Sequence, residues 1–154
     1  MITEAQFLAR IKERCEEDFE FFARYFFKTQ KGVKFRFSWH HHQICDALMR
    51  VFRGETTHLI INIPPRYSKT ELVVKLFTAW CFAKNPECEF IHLSYSDELA
   101  LDNSNTIKNL ITSSEFQQLW PIQGTSSRKR FDNKFDSFAE SEQPLSRVDF
   151  LPIR

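Results

Sequence analysis

The residues best equipped for chemistry lie between Ile63 and Thr70, in the stretch IPPRYSKT. A lysine followed by a hydroxyl residue at the opening of a helix suits a polyphosphate. Lys69 sets an ammonium against the outer phosphates, and Thr70 offers a hydroxyl to the magnesium ion that travels with them. Arg66 adds a guanidinium that can fork onto phosphate oxygens. The flanks suit the same purpose. The apolar, β-rich run His58–Ile63 (HLIINI) reads as a buried strand, and the residues from Lys69 to Ala83 read as a helix. Backbone N–H groups and a helix N-terminus then face one spot. Against the usual pattern G-x-x-x-x-G-K-[ST], Ile63 and Ser68 stand where glycines belong. On residue types alone the match is partial, and the competing reading is a proline-rich turn that opens a helix with Lys-Thr.

Two other groups of reactive side chains read as structural. His40, His41 and His42 are consecutive, so on a helix their rings point ~100° apart and cannot converge on one ion; packing and capping at a helix start is the expected role. Cys15, Cys45, Cys81 and Cys88 form no C-x-x-C pair and no zinc-type spacing, which predicts buried free thiols in a reducing compartment.

The elements that must position the Lys-Thr loop follow from hydrophobic spacing. Phe7, Leu8, Ile11, Cys15, Phe19, Phe22 and Phe26 recur at three- and four-residue steps, predicting one amphipathic helix from Thr3 to about Lys28. Lys31–Phe37 alternates basic and apolar residues and reads as a short edge strand. A helix from His40 to Arg53 ends at Gly54, and Asn85-Pro86 stops the helix after the loop. Glu89–Tyr95 (EFIHLSY) reads as a second strand and Asp97–Ile111 as a further helix. Strand, loop, helix, strand, helix is the rhythm of an α/β fold, here part of a three-layer α/β/α domain with a parallel sheet. The 154 residues suit one domain. With 42% hydrophobic and 27% charged residues the chain is globular rather than disordered. Seventeen phenylalanines against three glycines predict a core filled by rings. A net charge of +1 confines any nucleic-acid contact to a local patch. No run is long enough for a membrane span and no signal peptide is evident, so a soluble intracellular protein is expected.

Four blocks, in order, carry a resemblance: HHHQICDALMRVFRGE, LIINIPPRYSKTELV, FTAWCFAKNP and FIHLSYSDELALDNSNTIKNLITSSEFQQLWP. Together they resemble the N-terminal ATPase domain of the large terminase subunit of tailed phages and prophages, the motor that packages DNA into a capsid. The second block is similar to that family's variant Walker A loop, P-P-R-x-G-K-S-E-L, in which prolines and an arginine replace the first glycine. The resemblance covers roughly residues 40–121. It implies a P-loop NTPase that binds ATP and Mg through Arg66, Tyr67, Ser68, Lys69 and Thr70, with Thr70 on the metal and Arg66 engaging the terminal phosphate. Ser68 departs from the family's glycine, and its Cβ is expected to crowd the phosphates or strain the backbone. Gln43 reads the adenine edge in this scheme, or is a solvent-facing helix residue. Ser94–Asp97 is similar to a motif near the motor's working face, or is a plain helix cap.

The resemblance divides the chain into residues 1–39, an N-terminal helix and short extended segment; 40–122, the front half of the ATPase domain; and 123–154, a divergent tail. It implies DNA, a portal protein and a small terminase subunit as partners, a homo-oligomer as a possible assembly, no membrane, and the cytoplasm of a bacterial host. The acidic Walker B strand and the nuclease domain have no counterpart in the sequence. Asp97, Glu98 and Asp149 are the remaining carboxylates considered for water activation, none in the expected place, so the catalytic residues are unknown. The expectation is an ATP-binding module of a truncated packaging motor with little turnover alone. The alternative is a non-catalytic prophage remnant or interaction protein.

Overall fold

A computed structural model describes residues 3–121 and divides the chain into two compact units near residue 89. The first unit holds α1 (Glu4–Glu17), α2 (Phe19–Lys31), α3 (Trp39–Phe52), a π-helical segment (Thr70–Leu76) and α4 (Phe77–Lys84), which continues it. The second holds α5 (Asp97–Ile111) and α6 (Ser114–Leu119), packed on each other.

The expected N-terminal helix is broken in two by Asp18. Its backbone is extended (φ −130°, ψ 106°), and its carboxylate accepts the Glu20 N–H at 2.8 Å, capping α2. The break releases the Cys15 carbonyl from the helical ladder, and the indole N–H of Trp80 donates to it at 2.7 Å in the interior. Helix α2 is the centre of this unit, touching α1, α3, α4 and the π-helical segment. Its face of Phe19, Phe22, Ala23 and Phe26 is fully buried, and Phe19 meets Phe77 and Trp80 at ring distances of 5.3 and 5.7 Å. Each buried ring contributes about 1.5–3 kcal/mol. Phe7, by contrast, is 58% exposed, so the apolar stripe does not reach the start of α1.

The expected parallel α/β sheet is overturned. The described residues contain helices and no strand. Lys31 closes α2, Gly32 caps it in the left-handed region (φ 70°), and Val33–Phe37 follows with no strand pairing among the described residues. Its alternation is real, with Phe35 buried and stacked on Phe27 at 4.5 Å while Lys34 and Arg36 are exposed. What it packs on is a helix. His58–Ile63 and Glu89–Tyr95 likewise form no strand among the described residues. Their β-branched residues favour extended backbone, but a sheet needs a neighbouring strand to accept its N–H groups, and neither run has one among the described residues. Ile60 is 85% exposed, which a buried strand would not allow.

The helices after the loop fall where the sequence places them. The segment from Thr70 to Lys84 is continuous, and α5 spans Asp97–Ile111. Residues Leu76 to Cys81 are buried in succession, the mark of a helix covered on all sides. No helix among the described residues is long and apolar enough to cross a membrane. The expected tail 123–154, with Asp149, lies outside the described residues.

Because α2 packs on helices through its phenylalanine face, Phe22→Ala is expected to cost about 3–5 kcal/mol of stability in urea denaturation. A loss below about 1 kcal/mol would show that this face is not core.

Candidate functional site

The turn from Pro64 to Thr70 owes its shape to two residues in an unusual conformation. Arg66 (φ 70°) and Ser68 (φ 57°) are the non-glycine residues with positive φ among those described. The left-handed region brings Cβ close to the following carbonyl and costs roughly 1–2 kcal/mol for an L-residue. Ser68 is followed by Lys69 in the right-handed region (φ −54°, ψ −55°). A left-handed residue followed by a right-handed one turns successive N–H groups toward one side, the geometry of an anion-binding concavity. The Leu72 N–H donates to the Ser68 carbonyl at 3.0 Å and closes the first turn of the helix beyond.

That helix opens with a π segment, in which the Phe77 N–H reaches back to Leu72. Wide turns of this kind are rare and concentrate at functional sites. Arg66, Lys69 and Thr70 are exposed, and neither cation makes an ion pair among the described residues. Glu71 lies just inside the helix. Its Oε2 pairs with Lys75 at 3.7 Å, while Oε1 is buried with no hydrogen-bond partner.

The histidines stand against this turn. The His40 ring lies 5.4 Å from the ring of Tyr67 and 3.9 Å from that of His41. His41 accepts the Ser38 N–H at Nδ1 (2.9 Å), one half of a capping box at the start of α3. With Nδ1 accepting, the neutral ring carries its proton on Nε2, which is buried and unpartnered. Burial pushes the His41 imidazole below its ordinary range and the neighbouring His40 adds to this, while the Tyr67 backbone opposes it. His42 turns away and meets the Glu20 carboxylate at 2.6 Å, tying α3 to α2. The trio thus packs and caps, as its spacing predicts.

Of the residues expected to bind nucleotide, Arg66, Tyr67, Ser68, Lys69 and Thr70 share this one turn. Gln43 does not join them. It is exposed on α3 and lines an open groove with Asp46, Met49, Arg50 and Arg53. Ser96 occupies the N-cap of α5 without a side-chain hydrogen bond, and Asp97 and Glu98 lie in the first turn of that helix, in the second unit. Glu71, which the motif reading passed over, is signalled only by its place directly after Lys-Thr.

Two outcomes follow from this geometry. Ser68→Gly is expected to raise stability by about 0.5 kcal/mol, since relief of the left-handed strain outweighs the extra freedom glycine gives the unfolded chain. An unchanged denaturation midpoint would show that the turn carries no strain at Ser68. His41 supplies a pH dependence. A histidine whose folded pKa lies below its unfolded value of 6.5 stabilises the fold fully above that value, and the contribution is lost as pH falls through the folded pKa. The half-buried His92 is shifted down by burial too and acts in the same direction. Melting temperature should therefore drop as pH falls below 6.5, and the drop should be smaller in His41→Gln, which keeps the capping acceptor. Equal drops would exclude His41 as a contributor.

No family model, curated protein or solved structure matches the chain, so what the site can do rests on its own geometry.

Proposed function

We propose that the chain is an ATP-binding module of the terminase large-subunit type, with the Pro64–Thr70 turn holding the polyphosphate of Mg-ATP. The observation that carries this reading is the pairing of left-handed Ser68 with right-handed Lys69 at the opening of a helix. It directs consecutive N–H groups to one side, with the side chains of Arg66 and Lys69 in no ion pair among the described residues. Lys69 neutralises the outer phosphates, Arg66 forks onto the terminal one, and the Thr70 hydroxyl ligates magnesium. Holding the polyphosphate draws on the turn and the helix behind it. By the same resemblance the partners are DNA, a portal protein and a small terminase subunit, in a bacterial host cytoplasm.

Holding a triphosphate is not hydrolysing it. Phosphoryl transfer also needs a group that orients the attacking water, usually a carboxylate beside the terminal phosphate. Glu71 is the acidic residue nearest the turn in sequence, and one of its oxygens is engaged by Lys75. The module therefore binds ATP with little turnover of its own.

A second reading, a non-catalytic interaction protein, draws on the exposure of Ile60 (85%) in one unit and of Tyr95 (95%) in the other. Nucleotide binding separates the two. Mg-ATP at about 100 times its Kd should stabilise the fold by about 2.7 kcal/mol, seen as a higher melting temperature. Lys69→Ala should abolish the gain and Ser68→Gly should preserve or increase it. Phosphate release should stay far below the roughly 1 per second of ordinary enzymes, with or without duplex DNA. Equal melting with and without millimolar Mg-ATP, in both the parent and Ser68→Gly, would reject nucleotide binding. Turnover near 1 per second that is lost in Lys69→Ala would reject the binding-only account.

A further inference from the structure

The connection from α2 into α3 carries a charge that the rest of the chain does not share. Between Phe21 and Cys45 the sequence has five lysines and arginines and no aspartate or glutamate, leaving sixteen basic against twenty acidic residues elsewhere. Arg24 is already committed, paired with Glu20 and lying over the Phe37 ring at 4.3 Å. Lys28, Lys31, Lys34 and Arg36 are exposed and make no ion pair among the described residues. Lys28 and Lys31 also complement the dipole at the end of α2. Lys34 and Arg36 lie past the helix, where that role ends.

The rings between these cations anchor the segment. Phe35, which separates Lys34 from Arg36, is buried and stacks on Phe27 at 4.5 Å, and Phe37 meets Phe35 at 4.7 Å. Trp39 follows three residues after Arg36, so chain length alone keeps the two Cα atoms within about 11 Å. Its side chain is 72% exposed, whereas Trp80 and Trp120 are buried. Unpaired cations beside an open indole suit a run of phosphates with free bases. The cations neutralise the backbone, and the indole takes a base by stacking. A duplex would use the cations and leave the indole idle, because its bases already stack on each other. A membrane surface would need a broad apolar face, and the phenylalanine face of α2 is buried in the core.

We propose that the segment from Lys28 to Trp39 binds single-stranded nucleic acid, with its phosphates at Lys28, Lys31, Lys34 and Arg36 and one base on the Trp39 indole. The segment lies apart in sequence from the Pro64–Thr70 turn, and this binding does not rest on nucleotide binding there. Backbone charge and a ring face do the recognising, so little sequence preference is expected.

The test uses the full chain with fluorescein-labelled oligo(dT) and oligo(U) of about 20 nucleotides, affinity being read by anisotropy between about 50 and 200 mM salt. Four neutralised phosphates give log affinity against log salt a slope of roughly −3, and the double variant Lys34→Gln, Arg36→Gln should halve it. Trp39→Ala should weaken binding about tenfold, ~1.4 kcal/mol. The oligonucleotide should also quench tryptophan fluorescence in the parent and not in Trp39→Ala. That quenching needs no variant to be informative, since the other two indoles are buried. The substituted side chains are exposed, so the variants should keep the parent's melting temperature. Whichever oligonucleotide binds more tightly identifies the strand as DNA or RNA. Failure of the parent to bind either one at the lowest salt overturns the proposal. So does an unchanged slope in the double variant, or unchanged affinity and quenching in Trp39→Ala. Duplex DNA of the same length binding as tightly as the single strand overturns it as well, as do phosphatidylserine vesicles that bind where the oligonucleotides do not.

Discussion

The hydrogen bond from the Trp80 indole to the Cys15 carbonyl holds the first unit together. It joins residues 65 positions apart, and it exists only because Asp18 interrupts the N-terminal helix and frees a carbonyl at the end of α1. A large ring could not be buried here with its N–H unpaired, since the cost of an orphaned donor rivals the gain from one well-packed side chain. With that donor satisfied, Trp80 sits at 1% exposure among Phe19, Phe52 and Phe77, the rings that dominate this part of the interior. Breaking the helix and burying the tryptophan are two sides of one arrangement.

That arrangement reaches the turn through the helix that carries Trp80. Leu72, Leu76 and Trp80 are all buried and lock the helix axis, so the chain entering it from Pro64-Pro65 has little freedom in how it arrives. Two non-glycine residues in the left-handed region are the result. Strain of this kind persists only where the surroundings over-determine it. Here the Leu72 N–H holds the Ser68 carbonyl from below, and the α3 histidines press on Tyr67 from the side. The histidines are themselves fixed by Ser38 and, through His42, by Glu20 of α2. Each restraint on the turn leads back to the packing around α2.

The described residues form no sheet, for a physical reason. Leu59, Ile61 and Ile63 are half-buried while His58, Ile60 and Asn62 are exposed, so this run keeps the two-residue alternation that marks a strand. Lys34 to Phe37 keeps it as well, with Phe35 buried and Phe37 half-buried, while Val33 before them is exposed. Alternation reports that one side of an extended chain is covered. It does not report what covers it, and for Phe35 the cover is an aromatic ring on α2. The order of elements predicts a parallel sheet, but that order implies neighbours that the run does not have among the described residues.

The sequence by itself determined the helices after the loop, because apolar spacing, Asn85-Pro86 and the Asp97–Glu98 start are local signals read within a few residues. It also determined that Arg66 to Thr70 share one turn, since they are contiguous; the left-handed backbone of Ser68 is visible only in the folded chain. Only the tertiary structure decided that Gln43 faces a separate groove, that His40 and His41 stand beside Tyr67, and that Cys15 accepts from Trp80. The break at Asp18 belongs with these. Asp18 reads as one more polar residue on a helical face until the indole that claims the freed carbonyl is in place. Pairings across dozens of residues depend on which faces meet, and no periodicity in one segment encodes the partner that another segment will bring.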